Sequence, residues 1–233
     1  RTRPLRRHLL TAAQHEAVTS EAARPLQILA GPGSGKTRVL TSRVAHLVRD
    51  SAAPIAPERC VVVTFTNRPA NERRARLETM RGADRTRRLV LGTFHAVCVR
   101  VLRRWGTRLG LDPRFTIADT DDARRLLRDV DRDAPVDATL AAISRAKAHG
   151  WTPDELRASA QHAPGSPAHT EHLALCRTYA AYQQQLRTSH ALDFDDLLLL
   201  GVSLFREHPE LTTHIADVLV DEIPDPNAVQ YEN

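Results

Sequence analysis

The chain has 233 residues, 42% of them hydrophobic, and a formal charge of +5. That is enough apolar side chain for one large core or two small ones, which excludes a disordered or fibrous chain, and the positive balance tilts toward a polyanionic partner. Three cysteines without C-x-x-C spacing exclude a disulfide framework and suit a reducing, intracellular compartment; no apolar run can span a bilayer or act as a secretory signal.

Arg1–His8 is a basic tip, read as a solvated end. Thr11–Thr19 reads as a short helix with Thr11 as N-cap, and Leu26–Ala30 as a buried strand. Ala30-Gly31-Pro32-Gly33-Ser34-Gly35-Lys36-Thr37 follows, then a segment with helical periodicity through Val39, Leu40, Val44, Leu47 and Val48, giving a helix over Lys36–Asp50. A glycine-rich loop between strand and helix lets backbone N–H groups close around a phosphate, and the helix dipole favours the anion. Lys36 would reach the β- and γ-phosphates, and the Thr37 hydroxyl would sit on Mg²⁺. All but two of the 33 basic residues are arginine, the exceptions being Lys36 and Lys147. A background so poor in lysine retains one where a compact ammonium is needed and a broad guanidinium fits poorly. The strict loop pattern begins with Gly, and here that position is Ala30.

Cys60–Phe65 reads as a second strand, apolar on both faces as in a covered parallel sheet. A very basic helix is expected over Pro69–Met80, a third strand at Leu89–Leu91 and a helix over Phe94–Leu109. This alternation predicts an α/β fold with a parallel sheet. From Phe115 the texture turns helical, with helices over Asp119–Val130, Asp137–His149, Pro153–Ala160 and Ala168–Thr188. Asp193 caps a helix running to about His208, and Ile215–Val220 returns to strand character. The organisation read from this is a parallel-sheet α/β domain with a phosphate-binding loop over 1–112 and 191–233, interrupted by a helical subdomain over 113–190. Val218-Leu219-Val220-Asp221-Glu222 is an apolar strand ending in two acids. Asp221 would hold Mg²⁺ through its water shell and Glu222 would polarise the attacking water, separate tasks that need separate carboxylates.

With these motifs in order, the sequence resembles the UvrD/Rep/PcrA group of superfamily 1 DNA helicases, which translocate 3′ to 5′ on single strands. Leu10–Gln14 with Ala17-Val18 resembles the Q motif of that family, whose Gln reads the adenine edge, here Gln14. Ala30–Thr37 resembles motif I, with Arg38 in the usual following place. Val63–Asn67 is similar to motif Ia and Gly92–His95 to motif Ib, which line the DNA track in the family. The resemblance therefore implies DNA contacts at Thr64, Phe65, Asn67, Thr93, Phe94 and His95. Phe115–Asp122 and Ala191–Leu198 are family-like too, and Asp221, Glu222, Asp225, Asn227, Gln230 and Tyr231 fit motif II and its tail. The wording around Leu89–Cys98 is similar to fungal anti-recombinase helicases, which implies a nucleus and repair or recombination partners. ATP and Mg²⁺ are the implied cofactors, single-stranded DNA the implied ligand, and no membrane is involved.

The residues also speak without the family. Phe65 and Phe94 sit at strand ends beside Thr, Asn or His, where a base can stack on a ring, although both rings also suit a core. Arg73, Arg74 and Arg76 make a basic helix surface able to follow a sugar-phosphate backbone, or simply a solvated face.

Three departures stand out. Ile223 and Pro224 replace the aromatic and Gln that follow the two acids in the family, and Pro226 replaces the usual Thr. Pro224 supplies neither an amide side chain nor a backbone N–H, so nucleotide binding is expected to survive better than its coupling to DNA. Motif Ia continues as Arg68-Pro69 rather than Lys-Ala, and Arg73 replaces a usual Met. The sequence stops just after motif II, so the second RecA-like domain and its arginine fingers, worth on the order of 10³–10⁵ in rate, must come from elsewhere. Alone, this chain is expected not to unwind DNA, whether it is part of a longer protein or a decayed copy. The rival expectation is a degenerate helicase that binds nucleotide or a partner without turnover; a P-loop kinase ranks lower because it leaves the Q motif and motif Ib unexplained. His169, His172 and Cys176 are discounted as a metal site for want of a fourth ligand, and an iron–sulfur cluster on three scattered cysteines is set aside. Asp193, Asp195 and Asp196 are read as capping acids.

Overall fold

Val61-Val62-Val63 cannot expose either face of a strand without placing β-branched apolar side chains in water, and the structure buries both. In the computed structural model, which describes residues 10–20, 25–31, 33–64, 88–160 and 163–221, strand β1 (Cys60–Thr64) is buried along its whole length. It lies between β2 (Val90–Thr93) and β5 (Asp217–Asp221), paired parallel to both. The expected parallel sheet is therefore present, and the α/β class with it. Helix α2 (Lys36–Ala45) closes the core of this part: Val44 packs with Cys60, Val62, Leu89, Leu91 and Leu219. Its continuation, His46–Asp50, is wound as a single π turn before Pro54. Burial, ahead of the neighbouring Asp217 charge, pushes the Cys60 thiol up to about 12, so it is an inert core group.

One expectation is corrected. Leu26–Ala30 forms no strand, and Leu26, Ile28 and Leu29 are 45%, 41% and 85% exposed. An apolar run becomes a strand only when a neighbour accepts its backbone hydrogen bonds, and among the described residues none pairs with 26–30. The basic helix expected over Pro69–Met80 lies outside the described residues, as do Pro32, Phe65, Asn67, Glu222 and Ile223–Pro226.

Helix α3 (Phe94–Trp105) runs into a 3₁₀ turn over Gly106–Leu109. The remaining helices are α4 (Thr120–Val130), α5 (Val136–Ala148), α6 (Pro153–Ala158), α7 (Pro167–Thr188) and α8 (Phe194–Glu207). Asp119, Thr152, Ser166 and Asp193 cap four of them, each side-chain oxygen accepting a first-turn backbone N–H. Helices α4, α5, α6 and α7 share a core that includes Leu127, Ile143, Leu156, Tyr179, Tyr182 and Leu186. A two-stranded parallel pair, β3 (Thr116–Ile117) with β4 (Ala191–Leu192), has no counterpart in the sequence reading. The chain divides into two compact units, one of Arg1–Val97 with Leu211–Asn233 and one of Cys98–Glu210, and the 113–190 limits read from texture fall inside the second.

The second unit is built around a buried charge cluster. Lys147, on α5, has a fully buried side chain whose ammonium lies 2.6 Å from Asp193 Oδ2 and 2.7 Å from Asp196 Oδ1. Tyr182 donates its hydroxyl to Asp193 Oδ2 at 3.0 Å, Gln183 donates to Asp196 Oδ1 at 3.1 Å, and both Tyr179 and Tyr182 offer ring faces to the ammonium. Asp193 and Asp196 thus do more than cap α8: they tie α5 and α7 to its first turn. Two carboxylates share one cation, and burial raises the Asp196 carboxyl above its ordinary 3.8 despite the opposing Lys147 charge.

Lys147→Met leaves two buried acids without a cation and is expected to cost about 3–5 kcal/mol of stability in urea denaturation; adding Asp196→Asn should return part of that loss. Because the folded state keeps the Asp196 proton longer than the unfolded chain, its contribution is full below pH 3.8 and declines as pH rises through the raised value. Asp196→Asn should flatten that part of the stability–pH curve.

Candidate nucleotide-binding site

The loop before α2 owes its path to two glycines. Gly33 and Gly35 adopt φ +76° and +89°, the left-handed region that costs an L side chain, and Gly35 immediately precedes the first helical residue. Ser34 closes the turn, its hydroxyl donating to Gly31 O at 2.6 Å. Lys36 and Thr37, both half-buried, form the first turn of α2, where backbone N–H groups have no intrahelical partner. Lys36 Nζ donates to Ala30 O at 2.7 Å, bending the side chain back along the loop. Arg38 stands in the same turn, half-buried.

Gln14 meets this loop from α1 (Ala12–Thr19). Its Oε1 accepts from Thr11 N at 3.0 Å, half of a capping box completed by Gln14 N donating to Thr11 Oγ1 at 3.2 Å. Its Nε2 donates to Ser34 O at 2.8 Å. The amide is therefore held at both ends, yet one N–H and one lone pair remain for a ligand. Gly35 permits this approach: a Cβ there would lie 3.2 Å from Gln14 Nε2.

Parallel pairing places the strand ends. The register places Thr64 beside Thr93 on one flank and Asp221 on the other, so three strand ends come level. In open α/β sheets ligands bind outside these carboxyl ends. Asp221 is 7% exposed and Thr64 fully buried, so the Thr64 side chain is part of the sheet rather than of its surface. Thr93 Oγ1 accepts from Ala96 N at 3.3 Å, turning the chain from β2 into α3. Phe94 is 39% exposed and His95 half-buried at the start of that helix, whereas Phe65, Asn67, Pro32 and Glu222 lie outside the described residues. The site therefore brings Gln14, Ala30, Gly31, Gly33, Ser34, Gly35, Lys36, Thr37 and Arg38 into one loop-and-helix unit.

Residues that sequence reasoning passed over also act here. Arg43, on α2, is 6% exposed and binds the C-terminal carbonyls of α1; its signal was its place among buried apolar positions of the helix. Lys147, noted in the sequence only as the second lysine, belongs to the Asp193–Asp196 cluster and not to this site. Of the discounted metal ligands, His172 Nε2 lies 2.9 Å from Leu156 O, a helix-to-helix hydrogen bond.

A glycine-rich loop with a Lys-Thr helix start, attached to a parallel sheet, defines a RecA-like P-loop nucleotide-binding domain. The profile of the UvrD/REP helicase N-terminal domain matches residues 10–233, and the chain belongs to that family. It is 39% identical over 229 residues to the ATP-dependent DNA helicase PcrA of Leuconostoc citreum, covering 94% of this chain and 29% of that protein. PcrA of Staphylococcus epidermidis is 36% identical over 233 residues, and PcrA of Staphylococcus aureus 35% over 235, each covering 30% of the relative. The chain thus spans under a third of the length of these relatives. They are bacterial, and nothing in them carries the fungal sub-assignment.

Gly35→Ala forces an L residue into the left-handed region against Gln14 and is expected to cost about 1–2 kcal/mol, with nucleotide binding weakened further. Gly31→Ala meets nothing within 4 Å and is expected to leave stability unchanged. Urea unfolding and titration with a fluorescent ATP analogue compare the two.

Proposed function

We propose that this chain is the ATP-binding first half of a 3′-to-5′ DNA helicase motor that moves on single-stranded DNA. The observation that carries the reading is the Gln14–Ser34 hydrogen bond, which joins a base-reading amide to a phosphate-binding loop. The free N–H and lone pair of Gln14 match the N6 and N7 edge of adenine. Lys36 binds the β- and γ-phosphates, and the loop N–H groups hold the rest of the chain of phosphates. Thr37 and Asp221 offer hydroxyl and carboxylate oxygens, hard donors suited to Mg²⁺. When bound, that ion would neutralise charge on the transferring phosphate. Glu222 positions and polarises the attacking water.

On the DNA side, Thr93, Phe94 and His95 lie at the end of β2, and the exposed Phe94 ring suits stacking on a base. Phe65 and Asn67 are assigned to the same track by their motif, and Thr64 supports it from beneath. Turnover and unwinding require a second RecA-like domain with arginine fingers. The helical segment 113–190 is assigned as an insertion in the motor. We place the activity inside the cell, and the bacterial relatives favour the nucleoid over a nucleus. The partners assigned are DNA, the second motor domain, and repair or recombination proteins. Pro224 and Pro226 favour one alternative, a copy that binds nucleotide without coupling it to DNA.

Titration with a fluorescent ATP analogue and Mg²⁺ is expected to saturate for the wild-type chain and to fail for Lys36→Ala; equal binding by both would sink the nucleotide reading. Phe94→Ala is expected to weaken single-strand binding about 5- to 100-fold, the loss of one stacked base, as read by fluorescence anisotropy with a labelled oligonucleotide.

A further inference from the structure

Helix α1 is poorly placed to hold its own position. It has eight residues, of which Val18 alone is buried, and it carries no basic residue in its last turn. Short helices owe their stability to tertiary contacts, and the carbonyls of the last turn need outside donors. Glu16 O is taken by Ser20 N. The next carbonyls are taken by a side chain from another helix: Arg43 Nη1 lies 3.2 Å from Ala17 O, 3.4 Å from Val18 O and 2.9 Å from Ser20 O. A guanidinium is the side chain that can address several carbonyls at once, and its charge complements the helix C-terminus. The same group faces Asp217 at the start of β5, with Nη2 3.8 Å from Oδ2. Arg43 is the one arginine among the described residues that is buried. It thus sits where α1, α2 and β5 meet, two turns along from Lys36.

We propose that Arg43 is a positioning residue for nucleotide-base recognition. It grips the end of α1 from within the phosphate-loop helix and so holds the Gln14 amide in register with that loop. The inference rests on the reading of Gln14 and Lys36 as a nucleotide site. Among the described residues, two hydrogen-bonded ties hold α1 to this loop-and-helix unit: Gln14 to Ser34 at its beginning and Arg43 to the carbonyls at its end. With the second tie gone, the first is a single exposed hydrogen bond, and the amide loses its register against a base while the loop keeps its own geometry. Base selectivity then falls and phosphate affinity stays.

The test uses the 233-residue chain with Mg²⁺ and a fluorescent ATP analogue displaced by ATP, GTP or inorganic tripolyphosphate. Wild type is expected to prefer ATP over GTP. Arg43→Met should lose most of that preference, roughly tenfold if one amide contact is lost, while tripolyphosphate affinity changes less than twofold. Gln14→Ala should show the same pattern, and Gln14→Ala/Arg43→Met no further loss, because both act through one contact. Asp217→Asn should leave selectivity intact, separating the grip on α1 from the ion pair. Should Arg43→Met fail to fold by circular dichroism, Arg43→Lys carries the same expectation, since one ammonium cannot span those carbonyls. The proposal is overturned if Arg43 variants lose stability but keep the ATP preference, or if tripolyphosphate affinity falls in step with ATP affinity. A wild type that binds ATP and GTP equally also overturns it and leaves the phosphate loop standing. A wild type that binds none of the three overturns the nucleotide reading itself.

Discussion

Parallel pairing of one strand with two neighbours is the constraint that orders the α/β part of this chain. β1 is apolar on both faces, so it must be central, and its register against β2 and β5 brings Thr93, Thr64 and Asp221 to one level. Parallel strands need crossover connections, and the connection into the sheet is where helix starts and strand ends accumulate unpaired backbone groups. Once β1 is buried, the place of the acid that ends β5 follows from hydrogen bonding, not from any attraction between functional residues.

Charge in this chain is sorted by shape. Arginine supplies nearly all the positive charge, and its planar fork serves wherever several oxygens must be addressed together, as Arg43 does at the end of α1. The two lysines stand where a point charge fits and a fork does not. Lys36 lies folded along a tight loop, and Lys147 lies between two carboxylates under two aromatic rings. The first lies in the glycine-rich loop's helix start and the second at the centre of a helical unit. A buried ion pair contributes little net stability, but its geometry admits one arrangement of α5, α7 and α8.

Gln14 and the glycine-rich loop belong to different elements, and each is weakly held alone. The loop is glycine-rich and without a side-chain cap on α2, while α1 is short and mostly exposed. The Gln14–Ser34 bond and the Arg43 contacts join these two elements into one unit. Gly35 suits this junction twice over: its φ is left-handed, and a Cβ there would crowd the Gln14 amide at 3.2 Å.

Sequence by itself determined the class of fold, the glycine-rich loop ahead of α2, the Thr11 cap, the Asp193 cap and most helix limits, because these depend on local steric rules and on periodicity. It also identified Gln14, Lys36, Thr37 and Asp221 as candidates, since motif spacing is a local property. Tertiary structure decided the rest. Leu26–Ala30 has the composition of a strand but pairs with none of the described residues, and pairing is not written in the run itself. The β3–β4 pair joins residues more than seventy positions apart through two-residue segments, too short to carry a pattern. Arg43 and Lys147 look like ordinary helix charges in sequence; only burial, which depends on what packs over them, turns one into a clamp on α1 and the other into the centre of a charge cluster.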